Sequence, residues 1–312
     1  MYSRGYTWLP YWWALTIIWG SSFLLIKIGL EAFTPLQLTF GRVLFGCLVV
    51  LAVLLGRGQR LPARGMVWVH VAFVALLTNV IPFSLFGWAE QRVSSVLAGL
   101  FNAATPLFTA LFAALLVSSE RLTRQRMWGL IIGFGGVLVV LGAWRGISGD
   151  LAGSLACLAA TLCYGIAGPW TRRYLSGRPE GGPSLVAAQL LCSTLIMAVL
   201  VALFSPHLAQ VHPQALAAVF LLGAFATGLA FIWSFRIIAL AGSVVCSAIT
   251  YVTPVVSTFL GIAVLGEAVS WNQPVGAVIV LVGAGLVQGL VGSRLSAPRP
   301  SSSSASVRTA GQ

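Results

Sequence analysis

The chain has 312 residues, of which 58% are hydrophobic and 8% charged, with a formal net charge of +12. A soluble domain holds about 25% charged residues, so this composition excludes an aqueous fold and makes a bilayer the solvent. The positive charge does not mark a nucleic-acid binder, because Lys27 is the only lysine among 18 basic residues and nearly all the arginines sit in gaps between apolar runs, where they act as topology signals.

A bilayer-spanning helix needs about 20 mostly apolar residues. Apolar runs between charges and breakers predict ten helices, at 12–30, 35–55, 66–88, 94–117, 127–144, 151–171, 184–204, 215–236, 243–265 and 271–291. The first run follows a single arginine in Met1 to Pro10 and lacks a convincing cleavage site, so it reads as a retained helix rather than a leader. The polar stretch 293–312, with Ser301 to Ser304 beside Pro298 and Pro300, reads as a disordered cytoplasmic tail. With the N-terminus inside, 14 basic residues fall in inner loops and tail, two (Arg92 and Arg145) fall outside, and two (Lys27 and Arg42) lie within spans. That asymmetry predicts both termini in the cytoplasm.

The chain repeats itself. Thr105-Pro106 followed by Glu120, Gly129 and Gly136 is matched by Thr253-Pro254 followed by Glu267, Gly276 and Gly283, and Trp19-Gly20 with Lys27 is matched by Tyr164-Gly165 with Arg172. Two five-helix units are expected, 11–144 and 150–292. An odd number of helices per unit forces the halves to enter the membrane in opposite directions, giving an all-α integral membrane protein with an inverted repeat.

Inverted repeats place a substrate site near the midplane between the halves. Pro82, Pro106, Pro169 and Pro254 each remove a helix hydrogen bond within an apolar run. They bend helices for packing, or, for the paired Pro106 and Pro254, act as gating hinges. Asn79 and Asn102 lie deep in spans three and four, with Thr105 close by, and Thr227, Trp233, Thr250 and Tyr251 offer facing groups on spans eight and nine. These residues line a cavity for a small polar molecule, or the amides only hold the bundle together. The cavity reading requires Asn79, Asn102, Trp233 and Tyr251 to converge on one central space.

Trp19, beside Gly20-Ser21-Ser22, is too deep for an interfacial belt and faces either the core or a lumen. Lys27 reaches towards the outer interface, whereas Arg42 is deeper and either pairs with Glu31 or Glu90 or attracts an anionic substrate. Glu120 and Glu267 open short turns and read as helix caps. Gly129 and Gly133 form the clearest small-xxx-small packing pair. Cys47, Cys157, Cys163, Cys192 and Cys246 all lie in apolar segments without CxxC spacing, so no metal site or cofactor is expected. No GxSxG or HExxH motif suggests an enzyme, and no filter loop suggests a channel.

Trp19-Gly20-Ser21-Ser22-Phe23, Pro35 with Arg42, Thr105-Pro106 leading to Glu120-Arg121-Leu122, and Thr253-Pro254 leading to Glu267 together resemble the EamA-type branch of the drug/metabolite transporter superfamily. The resemblance runs from about Tyr11 to Gly292. It implies a transporter in the bacterial cytoplasmic membrane, commonly an exporter of amino acids or related metabolites, with the lipid bilayer and a small-molecule substrate as partners and homodimerisation left open. A receptor or assembly protein on the same scaffold is the competing reading. The second half departs from the pattern, with Glu267-Ala268-Val269 in place of Glu-Arg-Leu and no counterpart of Arg42.

Overall fold

A computed structural model describes residues 7–116, 123–142, 150–205, 211–241, 246 and 249–287. The described residues form helices without a strand: α1 (Leu9–Gly29), α2 (Pro35–Gly56), α3 (Val67–Glu90), α4 (Ser95–Leu116), α5 (Arg124–Leu141), α6 (Leu151–Tyr174), α7 (Gly182–Phe204), α8 (Pro213–Ser234, running on to Ala241), α9 (Ile249–Leu265) and α10 (Asn272–Val287). The first eight are long and apolar enough to cross a membrane, while α10 and the apolar part of α9, Val252–Leu265, are shorter. In lipid every backbone group must be satisfied within the chain, which is why helices dominate. Large side chains such as Leu55, Leu115, Leu203 and Phe259 are exposed on the outer surface, where the acyl chains of a bilayer match them.

Polar residues set the helix ends. Thr34 and Gln37 form a reciprocal capping box at the start of α2, Asp150 accepts from the Gly153 N–H (2.9 Å) at the start of α6, and Thr123 caps α5. The α5 cap explains why that helix begins three residues before the expected 127: Arg124, Gln125 and Arg126 form a polar but helical first turn. The expected Glu120 turn, the 293–312 tail and most of 243–248 lie outside the described residues.

The turns gather at two ends. At one, Arg173 donates to the Leu116 carbonyl (2.8 Å) and Ser184 to the Arg60 carbonyl (2.7 Å), so basic residues closing α2 and α6 share an arginine-rich end with the last turn of α4. At the other, Arg92 pairs with Asp150 (3.5 Å), and Gln37 donates to Ser205 (3.0 Å).

Among the described residues the α5–α10 contact is the most extensive between two helices. A Cβ placed on Gly129 would lie 2.7 Å from the Gly283 oxygen, one on Gly136 2.7 Å from the Val280 nitrogen, and one on Gly276 2.6 Å from the Val140 nitrogen. Gly129 thus meets Gly283 while Gly136 meets Gly276, so these two helices run antiparallel with backbones touching. Asn272 closes the contact by donating to the Val139 and Val140 carbonyls at 3.1 and 3.0 Å. Gly283→Ala, whose Cβ would lie 2.5 Å from the Gly133 Cα, is expected to cost about 1–3 kcal/mol. Gly135→Ala, with nothing within 4 Å, should be neutral or stabilising by up to about 1 kcal/mol. Thermal melts in detergent check the contrast, and equal melting temperatures for the two variants would refute the backbone contact.

Candidate functional site

Four helices lose regularity at mid-depth. In α1 the helix restarts after Ser21, and in α4 a turn at Ala103-Ala104 separates Ser95–Asn102 from Thr105–Leu116, with Pro106 at the restart where its missing N–H costs nothing. α3 and α8 each contain a π-helical segment, Leu76–Val80 and Ala224–Leu229. The π segment of α3 immediately precedes Pro82, which cannot donate into a regular ladder. Both π segments begin at positions 148 residues apart, as do Asn102 and Thr250, and Thr105 and Thr253. Backbone irregularity therefore recurs at matched depths in the two halves.

A cavity of about 510 Å³ lies among these irregular segments. Of the residues expected to line it, Trp19, Asn102, Thr105 and Thr250 do so, and Thr253 and Arg42, the latter expected in a structural or gating role, join them. Trp19 Nε1 donates to the Ala226 carbonyl (3.1 Å), a group in the π segment of α8. Thr105 Oγ1 donates to the Asn102 carbonyl (2.7 Å) and Thr253 Oγ1 to the Thr250 carbonyl (3.3 Å), so matched hydroxyls satisfy matched carbonyls beside Pro106 and Pro254. Both prolines are buried.

Arg42 is 7% exposed. Its Nε donates to Thr227 Oγ1 (3.0 Å), and its guanidinium lies 3.7 Å from the centre of the Phe83 ring. The expected ion pair with Glu90 is not formed: both Glu90 carboxylate oxygens are buried without a hydrogen-bond partner, and Glu31 is exposed. Thr227, fully buried, holds Arg42 instead of facing the cavity. Lys27 does not reach for the interface either. Its ammonium donates to the backbone carbonyls of Glu90 and Val93, tying α1 to the end of α3.

Asn79 and Trp233 do not line the cavity, so the expected convergence of Asn79, Asn102, Trp233 and Tyr251 on one space is not met: of the three whose side chains are described, only Asn102 reaches it. Asn79 is fully buried and donates to Ser193 of α7 (2.9 Å), because the π segment turns it towards that neighbour. Trp233 lines a second pocket near Tyr11, which shares Val186 with the cavity, while Phe231 and Ser234 of the same helix face the cavity. Successive helical residues diverge by about 100°, so position 233 cannot share the face of 231 and 234. The side chain of Tyr251 lies outside what is described. Sequence reasoning missed Gln189, which lines the cavity and donates to Thr78 (2.6 Å). An amide within an apolar run, the criterion that singled out Asn79, applied equally to it. Tyr164, used only to trace the repeat, also lines the wall.

Chemically the wall offers one cationic group, amides and hydroxyls from both halves, and the rings of Trp19, Phe83, Phe86, Tyr164 and Phe231. Among the described residues no carboxylate lines it. Away from the cavity wall, a carboxylate ties the two halves together. Glu267, from the turn after α9, accepts from the Ser95 N–H (2.8 Å), the Ser95 hydroxyl (3.0 Å) and the Val96 N–H (2.9 Å). It caps a helix, as expected, but the helix is α4, in the other half of the chain.

The family model described as "EamA-like transporter family" matches twice, over residues 7–142 and 151–288. The chain belongs to this family. Among curated relatives of this EamA-like chain, the uncharacterized inner membrane transporter YedA of Escherichia coli strain K12 is 30% identical over 264 residues, covering 82% of each chain. Protein PecM of Dickeya dadantii is 26% identical, covering 87% of this chain and 89% of that one. The S-adenosylmethionine/S-adenosylhomocysteine transporter of Chlamydia trachomatis is 34% identical over 128 residues, covering 40% of this chain and 38% of its own. A solved crystal structure superposes with a TM-score of 0.66 at 27% identity, covering 92% of this chain and 98% of that one. The protein is a multi-pass membrane transporter of the EamA type.

Proposed function

We propose that this EamA-type transporter exports a small anionic or zwitterionic metabolite with an apolar body, such as an amino acid or a related compound, by alternating access through the central cavity. The bundle acts as ten spans in two inverted halves with both termini cytoplasmic, in a bacterial inner membrane. Support for inversion comes from the antiparallel α5–α10 contact and from the odd number of helices in each repeat. The arginine asymmetry supports the orientation. The observation that carries the site is the matched set Asn102, Thr105, Thr250 and Thr253, polar groups of both halves beside Pro106 and Pro254, facing one cavity with Arg42. Broken helices at the interface of two repeats are where transporters bind substrate and pivot. Arg42 engages a carboxylate, the aromatic rings pack against the apolar body, and the amides and hydroxyls orient it. Transporter relatives such as YedA leave the receptor or assembly reading without support.

The test is flux of labelled amino acids and related metabolites in proteoliposomes, with and without a pH gradient. A substrate is expected to move, with Asn102→Ala slowing it about tenfold or more, the loss of one buried hydrogen bond to the ligand. Flux unaffected by Asn102→Ala and Thr250→Ala would remove the cavity from the pathway.

A further inference from the structure

A second cavity, of about 590 Å³, lies at the arginine-rich end between α1, α2, α7 and α8, on the opposite face of α8 from the substrate cavity. Ile232 and Trp233 of α8 face it, whereas Phe231 and Ser234 face the other. Its wall is aliphatic, built from Val50, Val53, Leu54, Leu229 and Ile232, and Arg57 and Arg236 stand at its rim. Both arginines are exposed, and neither has an ion-pair partner among the described residues. Arg57 closes α2, and the Arg236 guanidinium lies 4.7 Å from the centre of the Tyr11 ring. By contrast Arg92 and Arg178, at other helix ends, each pair with a carboxylate.

We infer that this cavity binds one anionic phospholipid, its phosphate held by Arg57 and Arg236 and one acyl chain laid along the aliphatic wall. The two halves of the argument select the same occupant. A free anion would satisfy the guanidinium pair but leave the aliphatic wall wet. A neutral apolar molecule would fill the wall but leave two cations at the hydrocarbon boundary without a counter-charge. A lipid with a charged headgroup meets both demands. Its place against α8, whose other face lines the substrate cavity, puts the bound lipid beside a helix with an internal π segment.

The experiment uses the purified full-length chain in mild detergent and native mass spectrometry with phosphatidylglycerol or phosphatidylcholine. Wild type is expected to retain one phosphatidylglycerol in preference to phosphatidylcholine. Arg57→Gln with Arg236→Gln should weaken that binding by about tenfold or more, on a scale of about fivefold per arginine. Arg178→Gln should leave it unchanged. Val53→Trp, which fills the cavity while keeping both charges, should also weaken it, and inorganic phosphate should not displace the lipid. Equal retention of the two lipids, an equal loss in Arg178→Gln, displacement by phosphate, or full binding in the filled variant would each overturn the assignment. Because the readout is binding, the result is independent of whether any substrate is transported.

Discussion

Replacing Arg42 by glutamine is expected to raise KM for an anionic substrate by about 10- to 100-fold, while a neutral analogue of the same shape is transported nearly as before. The magnitude follows from losing a charge-assisted hydrogen bond, worth about 1.5–3 kcal/mol. Arg42 is buried, lines the cavity and has no carboxylate partner among the described residues; its contacts are the Thr227 hydroxyl and the Phe83 ring. A cation in that setting is costly unless something anionic visits it. Arg42→Lys keeps the charge but loses the planar fork and the stacking on Phe83, so an intermediate KM is expected. Thr227→Val frees the guanidinium without removing it and should change KM less than either. Flux assays with a matched anionic and neutral pair make the comparison. An unchanged KM ratio in Arg42→Gln would show that Arg42 serves only the packing of α2, α3 and α8.

The helical, membrane-bound architecture was legible from hydropathy because the bilayer imposes one rule on every segment. The repeat was legible in Thr-Pro, Glu and Gly spacing for the same reason that the halves pack: α5 and α10 meet through glycines whose contacts leave no free space for a Cβ. What hydropathy could not reveal was the π geometry of α3 and α8. A π segment has no compositional signature of its own, and it rotates every later residue relative to an ideal helix. Asn79 and Thr227, at matched positions within those segments, accordingly contact a helix of the opposite half, through Ser193 and Arg42, instead of the cavity. Trp233 lies off the cavity for a simpler reason: its angle around the axis of α8 differs from that of Phe231 and Ser234, and hydropathy carries no such angle. Long-range charge partners were equally hidden. Nothing in the spacing of Lys27 and Glu90 says that the ammonium meets the backbone carbonyl and not the carboxylate.

Replacing Glu267 by alanine is expected to loosen the contact between the start of α4 and the turn after α9. Its carboxylate accepts three hydrogen bonds from Ser95 and Val96 at 2.8–3.0 Å, two of them from the N-terminal N–H groups of α4. A carboxylate at a helix N-terminus gains from both the orphan donors and the dipole. Deleting it leaves those donors unsatisfied at the contact between halves, where Gly99 lies against Ser257 and Gly261 against Val96 without room for a side chain. The expected cost is about 2–4 kcal/mol, enough to shift the population substantially towards separation at this contact. Lys27 remains as a second tie, holding α1 to the Glu90 and Val93 carbonyls, so the helices should separate at α4–α9 and not unfold. Spin labels at the exposed positions Gln91 and Ser270, in a cysteine-free background, are expected to show a longer-distance population that grows from wild type through Glu267→Gln to Glu267→Ala. Glutamine keeps one acceptor and nearly the same volume, which separates loss of the latch from loss of the fold. Distance distributions identical in all three proteins, with all three folded, would mean that the Glu267 contact is a cap and not a gate.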